Sequence, residues 1–171
     1  MHGIDQVADF LQRHDLLLTT AESATAGLIA AMLADVPGCA RVLDCGFVTY
    51  SVDAKKSMLG VGAQIIENFG LTSEQVASEM AQGALQRSRA NIALANTGMA
   101  AADNELDGVM CFACAARIDG QVRVVCETHR FPGGRNEVRT AAAQHALLRL
   151  PHYYQRLKRE HPTTDRCPSI D

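Results

Sequence analysis

Apolar positions along this chain alternate between short runs typical of strands and spaced positions typical of helices. Residues 16–20 form the first apolar run, and residues 28–33 then place leucine, isoleucine and methionine at helical spacing. This order predicts a strand, a turn and a helix. The β-branched and aromatic stretch at residues 41–51 predicts a second strand, and residues 52–60 predict a short helix after it.

The second half of the chain continues this alternation with a clear helix and a buried strand. Residues 72–88 repeat apolar positions at helical spacing, and Thr72 precedes Gln75 by three positions, which predicts a capping box at the helix start. Residues 91–98 predict a buried strand that runs into the polar and irregular segment 99–108. A connection of this length without regular structure indicates a functional loop.

Residues 108–131 predict a hairpin, because Asp119 and Gly120 form a two-residue turn signal between two apolar strands. An antiparallel hairpin that joins strands separated by helices makes the sheet mixed. A last helix is expected at residues 136–150, where Pro151 interrupts the helical pattern, and residues 152–160 can resume it for a turn or two. Together these elements predict an α/β domain with helices on both faces of one sheet.

Length and charge then bound the domain count and the classes of partner. With 171 residues, of which 47% are hydrophobic, the chain is expected to form a single domain over residues 1–160, followed by a disordered tail at 161–171. The chain has 16 basic and 19 acidic residues, and its formal net charge of −3 leaves no broad basic face. Nucleic acid is therefore not an expected partner.

The hydropathy pattern also argues against a membrane partner. No apolar stretch reaches the roughly 18 residues that span a bilayer. The first 15 residues carry aspartates where a signal peptide would be basic. We therefore expect a cytoplasmic protein.

Two groups of polar residues follow predicted strands and are candidates for chemistry. Ser23 and Thr25 stand at the expected start of a helix, where one of them either caps the helix or belongs to a site in which free N–H groups stabilise negative charge. Lys55 follows the second predicted strand and can act as a general base if burial lowers its pKa. The adjacent Lys56 fits the same pattern, so the residues alone leave open which lysine is functional and which is solvated.

Further candidates are an arginine pair and a cysteine pair. Arg135 and Arg139 follow a glycine-rich turn, where each either reaches an anion such as a phosphate or remains solvated. Cys111 and Cys114 are spaced like a metal or redox motif, but residues three apart in a strand point to opposite faces and no further ligands complete the set. We expect neither a metal site nor a cofactor.

Separate blocks of the sequence, in order, resemble the CinA C-terminal domain family, the nicotinamide mononucleotide deamidases. The blocks lie at residues 20–61, 93–98 and 130–139, and the resemblance spans roughly residues 5–150. Longer members of the family carry a molybdopterin-binding-like N-terminal domain, so the chain is similar to the stand-alone form. The resemblance implies a three-layer α/β/α sandwich with a mixed, mostly parallel sheet.

The resemblance also implies an activity and a set of site residues. The family reaction hydrolyses the carboxamide of nicotinamide mononucleotide to nicotinate mononucleotide and ammonia, a step of pyridine nucleotide salvage. The family pattern places the nucleophile on Ser23, the base on Lys55 and a further catalytic side chain on Tyr50. The implied substrate-binding residues are Thr25, Gly27, Ser51, Thr97, Gly98 and Arg135. Among these, Thr97 is expected to contact the amide or the oxyanion, and Arg135 the phosphate.

The chain departs from the family pattern near the nucleotide-binding segments. Ala24 and Ala26 stand where the family has cysteine and glycine, and residues 99–107 replace a glycine-rich loop. Within that loop Asp103 would repel a phosphate, which favours an alternative function. The alternative is a catalytically degenerate paralogue that binds a nucleotide or a protein partner without turnover. The resemblance further implies a homo-oligomer.

Overall fold

In a computed structural model, which describes residues 2–159, a five-stranded sheet lies between two layers of helices. The strands are β1 (Leu18–Glu22), β2 (Leu43–Val48), β3 (Ile92–Gly98), β4 (Val109–Ile118) and β5 (Gln121–Arg130). The helices are α1 (His2–Arg13), α2 (Leu28–Ala34), α3 (Val52–Leu59), α4 (Ala63–Phe69), α5 (Glu74–Gln86) and α6 (Arg135–Arg159), with a single 3₁₀ turn at Cys39–Arg41. The predicted tail at 161–171 lies outside the described residues.

The sheet has the strand order β2-β1-β3-β4-β5 and is mixed, as expected. Strand β1 pairs in parallel with β2 and β3, whereas β4 pairs antiparallel with β3 and β5. Four strands therefore point in one direction and β4 opposes them. The predicted hairpin is confirmed, since Ile118 pairs with Gln121 across a turn in which Asp119 and Gly120 have φ of 51° and 77°.

Alternating side chains of the central strands separate the core into two clusters. On β3, Ile92 and Leu94 belong to the cluster shared with α1, α2 and α6. Ala93 and Ala95 belong to the opposite cluster, shared with α5 and the end of α3, against which α4 also packs. Because successive strand residues face opposite sides, one sheet thus supports two helical layers. The predicted three-layer α/β/α fold is confirmed.

Helix α1 is an element that the expectations above omit, although its pattern is present in the sequence. Val7, Ala8 and Leu11 are buried at helical spacing, and Ile4 packs against the same cluster. This apolar stripe docks the helix onto the layer that contains α2 and α6.

The expected capping box at the start of α5 is wrong by one position. The helix begins at Glu74, and it is the hydroxyl of Ser73 that accepts a hydrogen bond, at 3.3 Å, from the N–H of Val76. The same hydroxyl donates to the carbonyl of Gly70 at 2.8 Å. The residue three positions after the cap is therefore a valine, so the reciprocal half of a capping box is missing.

The expected interruption of the last helix at Pro151 is also wrong, whereas the helical turns expected after it are present. Helix α6 continues through Pro151 to Arg159, although proline removes one helical hydrogen bond and costs about 3 kcal/mol in a helix interior. Tyr153 and Leu157 lie beyond the proline and are buried. Burying two such side chains contributes roughly 1.5–3 kcal/mol each, which offsets the proline. In the part of the chain that the structure describes, no helix is both long and apolar enough to cross a membrane.

Candidate active site

The carboxyl ends of the three parallel strands meet at one edge of the sheet, where a pocket opens. Ser23 directly follows β1, Tyr50 follows β2, and Thr97 and Gly98 end β3. Open α/β sheets bind their ligands at this edge. The pocket is lined by Ser23, Ala24, Tyr50, Lys55, Leu71, Thr72, Thr97, Gly98, Met99, Ala100 and Arg135. It therefore contains six of the nine site residues implied by the sequence.

Ser23 and Lys55 form a hydrogen-bonded pair inside this pocket. The Nζ atom of Lys55 lies 2.8 Å from the Oγ atom of Ser23, 32 positions away in the chain. The same Nζ donates to the backbone carbonyls of Thr49 at 2.8 Å and of Tyr50 at 3.3 Å. Two of the three hydrogen-bonding positions of the Lys55 amine are thus occupied by backbone carbonyls just after β2, and the third is directed at Ser23. Of the two candidate lysines, it is Lys55 that makes this contact, whereas Lys56 is exposed.

Burial changes the protonation of this lysine. Lys55 is only 1% exposed and is among the largest fully buried side chains of the described chain. Loss of water around the ammonium group lowers the pKa of Lys55 to about 8. At pH 7 roughly one tenth of the molecules then carry the neutral amine, which can accept a proton from a hydroxyl.

The turn that carries Ser23 is stabilised by hydrogen bonds to the side chain of the preceding residue, Glu22. Glu22 is fully buried, and its Oε2 atom accepts hydrogen bonds from the Thr25 hydroxyl and the Gly27 N–H, both at 2.8 Å, and from the Ile29 N–H at 3.0 Å. Its Oε1 atom accepts from the Ala30 N–H at 2.9 Å. This carboxylate therefore occupies the N-terminus of α2, where the helix dipole favours negative charge.

This arrangement corrects the expectation for Thr25 and Gly27. Neither residue lines the pocket: Thr25 is fully buried with its hydroxyl donated to Glu22, and Gly27 is the residue before α2, with φ of 94°. Helix α2 begins at Leu28, so Ser23 precedes the helix by several residues and neither it nor Thr25 caps it. The N–H groups at the helix start are used by Glu22 and are not available to a ligand.

The alanine that replaces a family glycine adopts a strained backbone conformation. Ala26 has φ of 50°, in the left-handed region that costs a residue with a side chain roughly 1 kcal/mol. The glycine of the family pattern at this position thus has a conformational explanation within the turn. The turn keeps its shape in this chain because Glu22 holds the N–H groups that follow it.

Thr97 and Gly98 form the pocket wall at the end of β3. Thr97 is 2% exposed, and its hydroxyl donates to the carbonyl of Leu71 at 2.8 Å, so the lone pairs of the hydroxyl remain to accept. A Cβ at Gly98 would lie 2.5 Å from the carbonyl oxygen of Val109, so only glycine fits beside β4 there. Of the two expected contacts of Thr97, acceptance from an amide agrees with this geometry and donation to an oxyanion does not.

Tyr50 and Arg135 meet at the mouth of the pocket. The Nη2 atom of Arg135, the first residue of α6, donates to the Tyr50 hydroxyl at 2.7 Å. Both side chains are exposed, and within the described lining Arg135 and Lys55 are the basic residues while no carboxylate is present. Ser51, in contrast, lies outside the lining and caps α3 by accepting from the Ala54 N–H at 3.1 Å.

Arg139, on α6, contacts the turn of residues 23–26 that carries Ser23, called the serine turn below. Its Nε atom donates to the carbonyl of Ala24 at 2.9 Å, and its Nη2 atom donates to the carbonyl of Thr25 at 3.3 Å. The guanidinium thus binds backbone carbonyls. The sequence had left open whether it reaches an anion or remains solvated, and the structure shows neither. Glu22 and Arg139 are the residues that sequence reasoning missed as supports of the site. A glutamate adjoining the candidate serine was the available signal for the first.

The irregular segment after β3 contributes only its beginning to the pocket. Met99 and Ala100 line it, whereas the carboxylate of Asp107 accepts from the Ala102 N–H at 2.9 Å and so closes the loop on itself. The guanidinium of Arg130 donates to the carbonyls of Glu105 and Asp107. The expected repulsion between Asp103 and a phosphate remains a prediction.

The fold and the pocket together define a class of protein: a three-layer α/β/α domain with a serine–lysine pair at the carboxyl edge of its parallel strands. The chain belongs to the CinA C-terminal domain family, whose model matches residues 3–154. Within the described residues, no group of three or more His, Cys, Asp or Glu side chains is placed to hold a metal ion.

Individual relatives agree with this assignment. A CinA-like protein of Mycobacterium marinum is 44% identical over 153 residues, which cover 84% of this chain and 35% of the relative. A CinA-like protein of Chlorobium phaeobacteroides is 40% identical over 146 residues, covering 82% and 35%. The chain spans little more than a third of the length of the curated relatives it matches.

Solved structures of similar length share the fold. The competence/damage inducible protein CihA of Agrobacterium tumefaciens is 40% identical with a TM-score of 0.79, and the match covers 90% of this chain and 96% of that one. The competence damage-inducible protein A of Klebsiella pneumoniae is 32% identical with a TM-score of 0.82, covering 90% and 96%.

Proposed function

We propose that the chain is an amidohydrolase that converts the carboxamide of nicotinamide mononucleotide to a carboxylate, releasing nicotinate mononucleotide and ammonia. The observation that carries the proposal is the distance of 2.8 Å between Lys55 Nζ and Ser23 Oγ in a pocket. A hydroxyl becomes a useful nucleophile when a base within hydrogen-bond reach takes its proton. Burial supplies that base by lowering the pKa of Lys55 to about 8.

The first half of the reaction forms an acyl-enzyme. The Oγ atom of Ser23 attacks the carboxamide carbon while its proton passes to the neutral amine of Lys55. The tetrahedral intermediate then collapses as the resulting ammonium of Lys55 gives its proton to the leaving nitrogen, which departs as ammonia. Two fixed carbonyls, of Thr49 and Tyr50, keep the amine directed at the serine throughout.

The second half uses the same two side chains with water as the nucleophile. Lys55 takes a proton from a water molecule that attacks the acyl carbon, and then returns it to Ser23 Oγ as the carbon–oxygen bond to the serine breaks. The product leaves as a carboxylate. One lysine therefore serves as base and acid in turn, which a pKa near working pH favours.

Substrate contacts are proposed for the other pocket residues that the family resemblance implies. The lone pairs of Thr97 accept from the carboxamide N–H, because its own proton is given to Leu71. Arg135 binds the phosphate at the pocket mouth, with the hydroxyl of Tyr50 beside it. The backbone at Gly98 lets the substrate approach the end of β3 closely.

The test is ammonia release by the full chain incubated with nicotinamide mononucleotide, with Ser23→Ala as the matched variant. We expect release by the wild type and a loss of about 10⁴-fold or more in Ser23→Ala. Unchanged release in Ser23→Ala removes the serine mechanism. Binding of the nucleotide in calorimetry without ammonia supports instead the degenerate paralogue.

A further inference from the structure

Three successive carbonyls of the serine turn are held in fixed directions. The carbonyl of Ser23 accepts from the Ala26 N–H at 3.1 Å. The carbonyls of Ala24 and Thr25 accept from Arg139 at 2.9 and 3.3 Å. Every peptide unit from Ser23 to Ala26 is therefore oriented by one of these hydrogen bonds.

A held carbonyl also directs the N–H of the same peptide unit. Because the peptide bond is planar and trans, its N–H points opposite to its C=O. Arg139 fixes the unit between Thr25 and Ala26, whose N–H in turn fixes the carbonyl of Ser23. The N–H of Ala24 belongs to that last unit, so its direction depends on Arg139 through two linked peptides.

The N–H of Ala24 has no assigned partner and adjoins the nucleophile. Within residues 2–159 this N–H and that of the fully buried Thr25 donate to no protein acceptor, whereas the N–H of Ser23 donates to Asn96 and that of Ala26 to Ser23. Ala24 itself lines the pocket next to Ser23. The donors at the start of α2, which would otherwise suit an anion, are taken by Glu22.

We propose that the backbone N–H of Ala24 is the donor that stabilises the oxyanion formed on attack by Ser23, and that Arg139 is the positioning residue that aims it. The inference rests on the proposed serine chemistry, but not on the identity of the amide. Such a donor stabilises the transition state only if its direction is set in advance. By donating hydrogen bonds to two carbonyls of a four-residue turn, the Arg139 guanidinium fixes that direction before the reaction begins.

The test uses a probe that needs no knowledge of the amide substrate. A small neutral dialkyl fluorophosphate labels an activated serine: the Ser23 Oγ–P bond forms, the P–F bond breaks, fluoride leaves and the serine proton passes to Lys55. The phosphoryl oxygen then takes the place of the oxyanion. The labelling rate is followed by the intact mass of the full chain, with Ser23→Ala as the blank.

We expect Arg139→Ala to lower the labelling rate by about 10²-fold, the usual cost of losing an oxyanion donor. The pH at which labelling reaches half its maximum should stay near the wild-type value, because the contacts of Lys55 are untouched. Methylguanidinium at millimolar concentration should restore most of the lost rate by filling the vacated place. Arg139→Lys keeps the positive charge but has a single nitrogen, so its labelling rate should lie between those of the wild type and Arg139→Ala.

The matched control is Arg89→Ala, which removes an exposed guanidinium bound to Asp44 at the far end of the sheet and should leave labelling unchanged. Labelling of folded Arg139→Ala at the wild-type rate, or a slow rate that methylguanidinium does not restore, overturns the inference. If Arg139→Ala fails to fold, wild-type labelling of Arg139→Lys overturns it equally. An unlabelled wild type overturns the serine chemistry as well, whereas labelling without ammonia release contradicts only the proposed substrate.

Discussion

Lys55 donates to Ser23 across 2.8 Å while the carbonyls of Thr49 and Tyr50 hold its remaining directions. The lysine is thus oriented by backbone atoms and not by a carboxylate partner. Because a carboxylate would stabilise the charged amine, this choice of acceptors keeps the neutral form accessible. The pair combines a short contact with a lysine whose pKa is lowered to about 8 by burial.

The pH dependence of activity should report this base. Because the neutral amine is the reactive form and the pKa of Lys55 is about 8, kcat/KM is expected to rise about tenfold per pH unit up to pH 8 and to level off above it. Ammonia release measured across this range gives the profile. A plateau that extends unchanged to pH 6 would contradict a lysine base with this pKa.

Protein stability should change with pH above the range in which activity rises. The unfolded lysine has a pKa of 10.5 and the folded one of about 8, so between these values the unfolded state binds more protons and stability rises with pH. The gain corresponds to about 3 kcal/mol. The free energy of unfolding of the wild type should therefore rise relative to that of Lys55→Met between about pH 8 and about pH 10, as measured by urea unfolding. Parallel curves for the two proteins would show that Lys55 is not the titrating group.

Glu22 should contribute far more to stability than an exposed capping carboxylate. Glu22→Gln replaces one acceptor oxygen in a fully buried site that satisfies four donors, so we expect a loss of about 2 kcal/mol in the free energy of unfolding. The control is Glu137→Gln, whose exposed carboxylate accepts from the Gly134 N–H and should cost under about 1 kcal/mol. Urea unfolding measures the loss in free energy of unfolding for both variants. Equal losses would contradict a larger contribution of Glu22 to stability.

Arg135 should distinguish a phosphorylated substrate from one without phosphate. Losing a charge-assisted hydrogen bond costs roughly 1.5–3 kcal/mol, so Arg135→Met is expected to raise KM for nicotinamide mononucleotide about tenfold or more. The matching nucleoside should be unaffected by the substitution. Steady-state ammonia release from both compounds provides the comparison, and a similar rise for both would place the phosphate elsewhere.

Much of the fold could be predicted because its elements carry local signals. The hairpin at Asp119 and Gly120 and the buried strand β3 follow from turn chemistry and apolar runs. The unbroken continuation of α6 through Pro151 could not, because it depends on the burial of Tyr153 and Leu157 against other elements. Local propensity is outweighed there by packing.

The candidate site could likewise be predicted only in part from the sequence. Ser23 and Lys55 could be named from sequence blocks, since a resemblance transfers reactive residues by position. The function of Glu22 could not, because its four donors converge only after the turn adopts positive φ at Ala26 and Gly27. Arg139 likewise acquires its role from the docking of α6 against the turn.

The segments of the pocket differ in how freely they can change during evolution. The turn that carries Ser23 is held by the buried Glu22 at the end of β1 and by Arg139 of α6, whereas residues 101–106 contribute no side chain to the described pocket lining. Substitutions and insertions in that loop can therefore accumulate without displacing the reactive pair.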